Sequence, residues 1–175
     1  TAAGFLEQIS AFEYIDIMKP ISVYINTCGG DLASTLSMYD CLRTCACPIV
    51  TIGLGRVMSA GVLLLAGGEK GTRFITENTR VMIHQVSGGA FGSVNEMENS
   101  IAEMKKLQDM YAELLSKDAG VSKAKLLNDM SKDNYMSAQE AVKYGFADKL
   151  VPTRKDFKRI KSKMGKAEKK SNKKA

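Results

Sequence analysis

Two spacings of apolar residues follow one another along the chain, and they predict strands that alternate with helices. Apolar, often β-branched runs favour short strands at 21–25, 49–53, 73–76, 80–84 and 147–151. Amphipathic or apolar stretches favour helices at 3–16, from Asp31 to about Cys45, near 59–67, from Gly92 as far as Gly120, near 122–131 and near 137–144. This order predicts an α/β fold of repeated strand-turn-helix units around a largely parallel sheet.

Two glycine-rich turns stand out, because reactive groups in such folds gather after the carboxyl ends of strands. Gly29 and Gly30 follow the first strand and open a helix, so their amides can approach an anion closely. The second turn, 55–61, places Ser59 at a strand-to-helix transition, where the Ala60 amide points at the same space. Converging amides suit an acyl-transfer oxyanion. A serine at the start of a helix is more often an N-cap, and glycines before helices are common in turns, so spacing alone does not establish catalysis.

His84 is the only histidine, and it ends the apolar run 81–83. A Ser–His mechanism would have to use this side chain as its base. A single histidine beside a strand is also commonly a structural hydrogen-bonding residue. The chain holds nineteen Asp and Glu residues, and their spacing does not choose a third partner.

Composition and charge limit the classes of function. The 175 residues are 45% hydrophobic, which suits one domain with its own core. Residues 152–175 hold eleven basic and two acidic side chains, whereas the rest of the chain holds fourteen basic and seventeen acidic ones. We therefore interpret 1–151 as the folded domain and 152–175 as a basic, disordered tail, either solubilising or able to dock on an acidic partner or nucleic acid. Because aromatic residues do not interleave with these charges, we expect no nucleic-acid function for the whole protein.

The sequence gives no sign of a metal, a cofactor, a disulfide framework or a membrane span. The four cysteines lack the paired spacing of zinc sites and the single histidine is distant, so we predict no metal and no cofactor. No disulfide framework is apparent, which favours a reducing compartment: the cytoplasm or, in a eukaryote, an organelle matrix or stroma. No apolar run reaches 18 residues, and we expect no membrane span.

Four segments together resemble the proteolytic subunit of the ATP-dependent Clp protease (ClpP). They are 24–30 (YINTCGG), 55–61 (GRVMSAG), 80–85 (RVMIHQ) and 133–141 (DNYMSAQEA), the last continuing into the YG of 144–145. Their order and separations match the family across about residues 5–151. The resemblance implies a ClpP/crotonase-like α/β fold with a protruding handle helix.

The same resemblance implies roles for five residues. Ser59 would be the nucleophile, His84 the general base, and Asp133 the carboxylate that orients the imidazole. The backbone amides of Gly30 and Ala60 would form the oxyanion hole.

Departures from the family pattern leave two questions open. The family usually has Ser-Pro before the glycine pair, where this chain has Thr27-Cys28, so we expect slightly looser oxyanion geometry. The family often has proline where Val86 stands. Asp129 and Asp148 compete with Asp133 for the acid role, and the motif favours Asp133.

The family also implies an assembly. ClpP-like subunits form heptameric rings that stack as a tetradecamer around a chamber, are fed by a hexameric AAA+ ATPase, and cleave unfolded polypeptides. A handle at about 88–119, a glycine-rich strand followed by the long helix, would interlock the rings. Family members carry a gating strand and loop before the first helix, and we expect this segment to be missing here.

Two alternatives remain open. One is a related enzyme on the same scaffold, either a crotonase-type acyl-CoA enzyme or a signal-peptide-peptidase type, for which Lys70 would be the base nearest in sequence. The other is a catalytically inactive ring subunit that modulates an active paralogue.

Overall fold

A computed structural model describes residues 1–153 of the chain. Its helices are α1 Ala2–Ile15, α2 Leu32–Thr44, α3 Gly61–Ala66, α4 Val94–Ala119, α5 Lys123–Asp129 and α6 Ala138–Tyr144. Its strands are β1 Ile21–Thr27, β2 Ile49–Met58, β3 Arg73–Ile75, β4 Arg80–Ile83, β5 Asn134–Ser137 and β6 Lys149–Leu150. The predicted alternation, and with it the α/β class, is confirmed. The predicted basic tail lies outside the described residues except for 152 and 153.

The six strands form one sheet in the order β5-β4-β2-β3-β6, with β1 also paired to β2. Strand β2 is the centre, because it pairs in parallel with β1, β3 and β4. Strand β6 extends the sheet in parallel beyond β3, and only β5 is antiparallel to its neighbour. The carboxyl ends of β2 and β4 therefore leave the sheet at the same edge.

Helix α3 packs in the middle of the core. All six of its residues are buried, which explains why its sequence is apolar on every side. Gly61 permits this close packing, since a Cβ there would lie 2.3 Å from the Thr27 Cγ2 on β1.

Helix α4 is 26 residues long and projects from the body over its first half. Ser93 and Glu96 form a capping box at its start, and Gly120 ends it with φ +73°. Its buried residues all lie between Tyr111 and Asp118. The exposed first half matches the predicted handle helix.

The predicted turn 55–61 is wrong over its first four residues, because β2 continues to Met58. The glycine signal instead marks an irregularity in the strand. The pairing with β1 shifts between Ile25 and Thr27, and Gly55, with φ +65°, lies in the shifted part of β2. A glycine inside a strand often marks such a bulge.

Two other expectations differ from the structure. Strand β5 was not predicted, because its four residues are too few to form a recognisable apolar run between the two helices. The glycine-rich part of the predicted handle, 88–92, forms no strand in the described chain. A strand needs a neighbour to accept its backbone hydrogen bonds, and none lies beside this segment within residues 1–153.

Candidate active site

Ser59 directly follows β2 and holds an unusual backbone conformation. Its φ of +54° is the only positive value among the non-glycine residues of the described chain. Neighbouring groups hold it there: its amide donates to the Met82 carbonyl at 2.7 Å, and its carbonyl accepts from the Val62 amide at 3.0 Å. Such strain persists only where surrounding structure enforces it, and it commonly marks functional sites. Here it turns the hydroxyl out at the end of the strand.

His84 reaches the same point from the neighbouring strand. Because β4 runs parallel to β2 with Met58 opposite Met82, the residues after both strands emerge side by side. The His84 Nε2 lies 2.8 Å from the Ser59 Oγ, a normal hydrogen-bond distance.

Asp133 comes to the imidazole through β5. This strand is antiparallel to β4 with Asn134 opposite Ile83, so the residue before Asn134 stands opposite His84. The Asp133 Oδ1 lies 3.5 Å from the His84 Nδ1, and the carboxylate side chain is 58% exposed. This contact is longer than an ordinary charged hydrogen bond. With the proton on Nδ1, Nε2 is left to accept the serine hydroxyl proton.

One of the two competing carboxylates, Asp129, and the alternative base, Lys70, both lie away from Ser59. Asp129 accepts hydrogen bonds from the Lys125 ammonium and from the Tyr144 hydroxyl, and these two contacts hold its pKa below the usual range. Lys70, the alternative base, is exposed and lies beside Gly120. The structure therefore brings neither side chain to Ser59.

Asp148 forms the main buried ion pair of the fold with Arg73. The Arg73 guanidinium donates through Nε at 3.0 Å and through Nη2 at 2.7 Å, and only 4% of its side chain is exposed. Burial by itself raises the pKa of Asp148. The hydrogen bonds from Arg73 and from the Gly71 amide outweigh burial and place that pKa below its usual value. This carboxylate holds β6 to β3.

The turn after β1 lies against Ser59. Gly29 and Gly30 have φ of +99° and +155°, and a Cβ on Gly29 would lie 2.6 Å from the Ser59 Cβ. The Thr27 hydroxyl accepts the Gly29 amide at 3.0 Å and so closes the turn around Cys28. A side-chain hydrogen bond thus restrains this turn, which lacks the stiffening that a proline at position 28 would give.

The amides of Gly30 and Ala60 border the same cleft as Ser59 and His84. Within residues 1–153, no backbone carbonyl accepts a hydrogen bond from either amide. Neither N–H group is therefore used by the backbone of the described chain, and both belong to residues that line the cleft.

The cleft encloses about 220 Å³ and has an apolar wall. Leu32, Val86, Met104 and Leu107 supply that wall, the last two from one face of α4. The Gln108 side chain, on the same face, accepts the Val86 amide at 3.1 Å. Helix α4 therefore fixes the segment that follows His84 as well as lining the cleft.

Tyr111 lies in the apolar stripe of α4, the row of side chains at helical spacing that also contains Met104 and Leu107. It is 3% exposed, and its hydroxyl donates to the Ser59 carbonyl at 3.1 Å. Burial raises the pKa of this phenol well above its usual value. Its regular place in the apolar stripe of α4 concealed the polar contact, and no local signal could have found it.

Two other kinds of site are absent from the described part of the chain. No helix there is long and apolar enough to cross a membrane. No cluster of three or more His, Cys, Asp or Glu side chains between residues 1 and 153 could hold a metal ion.

Comparison with known families identifies the scaffold. The family model described as Clp protease matches residues 1–154. The chain belongs to the Clp protease family. The resemblance predicted from four segments is thereby confirmed, and the α/β fold with its handle helix is consistent with that family.

Two curated relatives of this Clp-family chain carry the same name. The chain is 39% identical over 133 residues to ATP-dependent Clp protease proteolytic subunit 1 of Rhodopirellula baltica. The aligned part covers 76% of this chain and 59% of that protein. It is 38% identical over 143 residues to ATP-dependent Clp protease proteolytic subunit 1 of Chlamydia felis, covering 82% and 70%. The chain thus spans less than two thirds of the length of the first of these relatives.

Proposed function

We propose that the chain is a serine endopeptidase that cleaves unfolded proteins and peptides through an acyl-enzyme. Ser59 is the nucleophile, His84 the general base and Asp133 the group that orients the base. The 2.8 Å contact between the Ser59 Oγ and the His84 Nε2, at a strained strand end, carries this proposal. The family match and the engagement of Asp129 and Asp148 with other side chains support the choice of these residues.

Acylation follows from this geometry. The Ser59 Oγ attacks the scissile carbonyl carbon while its proton passes to the His84 Nε2. The same proton then moves to the leaving amine as the C–N bond breaks, which leaves an ester on Ser59. Water attacks that ester and gives a proton to Nε2. The ester C–O bond then breaks, Nε2 returns the proton to the Ser59 Oγ, and the acid product leaves. Asp133 stabilises the imidazolium formed in each half-reaction, with a side-chain movement that shortens the 3.5 Å contact.

The amides of Gly30 and Ala60 stabilise the oxyanion of each tetrahedral intermediate. Both border the cleft beside Ser59 and have no backbone acceptor in the described chain. Removing one such donor from a serine peptidase costs about 3–4 kcal/mol of transition-state stabilisation.

The cleft supports broad specificity with a preference for apolar side chains. Its wall is built from Leu32, Val86, Met104 and Leu107. The glycine-rich segment 88–92 beside it forms no strand within the described chain, so its backbone groups are open to an extended substrate.

Assembly into stacked heptameric rings and feeding by a hexameric AAA+ ATPase complete the proposal. Exposed apolar side chains on the handle segment, Phe91, Val94, Ile101 and Met110, support contact with another subunit. A second apolar groove beside the exposed Tyr24 is suited to bury side chains of a partner. The four free cysteines fit a reducing compartment, the cytoplasm or an organelle matrix or stroma.

Active-site labelling tests the nucleophile without requiring a complete chamber. The purified chain is treated with a fluorophosphonate probe and compared with Ser59→Ala and with Ser87→Ala, which changes the other serine of the same cleft. We expect Ser59→Ala to abolish labelling and peptide hydrolysis while Ser87→Ala is still labelled. Labelling of the Ser59→Ala variant at the wild-type rate would reject Ser59.

A second pair of variants identifies the base. We expect His84→Ala to lower kcat by several orders of magnitude and Lys70→Ala to leave it nearly unchanged. The opposite result would favour the signal-peptide-peptidase type. A folded chain that neither labels nor cleaves, even with an active paralogue present, would favour the inactive ring subunit.

A further inference from the structure

A buried hydroxyl on helix α4 forms a hydrogen bond with the backbone of the candidate nucleophile, Ser59. The Tyr111 hydroxyl donates to the Ser59 carbonyl oxygen at 3.1 Å, although the two residues are 52 positions apart. The same oxygen accepts the Val62 amide at 3.0 Å, so both of its lone pairs are used. The Val62 bond belongs to the start of α3, whereas the Tyr111 bond comes from a separate element.

The Ser59 carbonyl and the Ala60 amide belong to one peptide group. This group is planar and trans, so its C=O and its N–H point in opposite directions. A donor that fixes the direction of the carbonyl therefore fixes the direction of the Ala60 N–H. Hydrogen bonds in series also polarise one another, so a donor on the oxygen makes the N–H a stronger donor.

We propose that Tyr111 is a positioning residue that aims and strengthens the Ala60 amide as an oxyanion donor. The inference rests on the proposed function, because it concerns the oxyanion of the Ser59 reaction. Packing alone would be satisfied by phenylalanine at this position in the apolar stripe of α4. The hydroxyl is what distinguishes the residue, and its one partner among the described residues is the Ser59 carbonyl.

The phenol is suited to act as a permanent donor. It is 3% exposed, and burial raises its pKa, so the hydroxyl keeps its proton throughout the pH range in which a peptidase is assayed. Its aromatic ring lies in the hydrophobic core, where α4 packs against α3. The hydroxyl therefore acts without a conformational change during turnover.

Tyr111→Phe tests the inference with Tyr39→Phe as the matched control. Tyr39 is also a buried phenol whose hydroxyl makes one long-range bond, to the Asp118 Oδ2 at 2.9 Å. The measurements are kcat and KM on a fluorogenic peptide, the Ki of a peptide boronate that forms a tetrahedral adduct with serine, and the melting temperature. We expect Tyr111→Phe to lower kcat about 2- to 12-fold, the range of one lost hydrogen bond, with KM within twofold. The boronate Ki should rise by a similar factor.

The control separates positioning from stability. Tyr39→Phe should lower the melting temperature and leave kcat and the boronate Ki within twofold of wild type. Equal kcat and Ki in Tyr111→Phe and wild type would overturn the inference, as would a rise in KM alone. If Tyr111→Phe does not fold, 3-fluorotyrosine at position 111 replaces it. That residue keeps a more acidic hydroxyl, so kcat should be at least that of wild type, and a fall would overturn the inference. A wild-type chain that is not labelled at Ser59 would reject the proposed function instead.

Discussion

Replacing Gly29 by alanine tests whether the turn after β1 sets the position of the nucleophile. The new Cβ would lie 2.6 Å from the Ser59 Cβ, 3.1 Å from its Oγ and 3.0 Å from the Met58 carbonyl oxygen. Carbon atoms in contact are about 3.5–4.0 Å apart, so the turn or Ser59 has to move by roughly 1 Å. Two of these three neighbouring atoms belong to Ser59, so the movement would displace the reacting residue itself.

The magnitude follows from two separate effects. A positive φ costs an alanine about 1–2 kcal/mol, part of which is offset by the reduced freedom of the unfolded chain. A displacement of about 1 Å at a reacting group lowers the rate by about 100-fold, equivalent to about 2.7 kcal/mol in the barrier. We expect kcat/KM of Gly29→Ala to fall by about that factor.

Gly71→Ala is the matched control. Gly71 has nearly the same backbone conformation, φ +96° against +99°, but a Cβ there would meet no heavy atom within 4 Å. The assay is kcat/KM on a fluorogenic peptide together with the rate of fluorophosphonate labelling. Gly71→Ala should bear the same backbone cost and keep both rates within a few-fold of wild type.

Two outcomes would refute this reasoning. If Gly29→Ala keeps wild-type labelling and hydrolysis, the contact between the turn and Ser59 does not position the nucleophile. If both variants lose activity equally, the loss comes from the backbone conformation, and the steric argument fails.

Two further predictions concern the ion pair between Arg73 and Asp148. We expect Asp148→Asn to lower the free energy of unfolding by about 3–5 kcal/mol, because it leaves a buried guanidinium without its charge partner, and chemical denaturation at pH 7 checks this. A smaller loss than Asp133→Asn, whose side chain is 58% exposed, would contradict it. The pKa of Asp148 is depressed in the folded chain. Its contribution to the free energy of unfolding is therefore fully present above the unfolded pKa of about 4, and it is lost as the pH falls through the lower folded pKa. The stability difference between wild type and Asp148→Asn should therefore shrink as the pH falls below about 4, and a constant difference would contradict the assignment.

Local patterns in the sequence located most elements and their ends. Asp31 caps α2 through its side chain, and Gly120 and Gly145 end α4 and α6 with positive φ, as the residue types predict. Caps and helix stops depend on residues within one turn of each other, so sequence is sufficient for them. Glycines inside β2 were misread because a bulge and a turn share the same residue preference, and only strand pairing distinguishes them.

The choice among the carboxylates could not be made from residue spacing. A motif favoured Asp133, and the structure supplies the physical reason why that side chain, and neither Asp129 nor Asp148, lies beside His84. The antiparallel pairing of Asn134 with Ile83 brings it there, and β5 is too short for its pattern to be recognised. Pairing between distant segments is a property of the folded sheet, so no local pattern contains it.

The sequence by itself determined the alternation of strands and helices, the glycine turn after β1, and the serine and the single histidine available for chemistry. These depend on residue type and on neighbours within a few positions. Tertiary structure decided that Ser59 takes a positive φ, that Asp133 faces the imidazole, and that the Tyr111 hydroxyl reaches the Ser59 carbonyl from α4. Each of these is a contact between groups far apart along the chain, and it exists only once the sheet and the core have been packed.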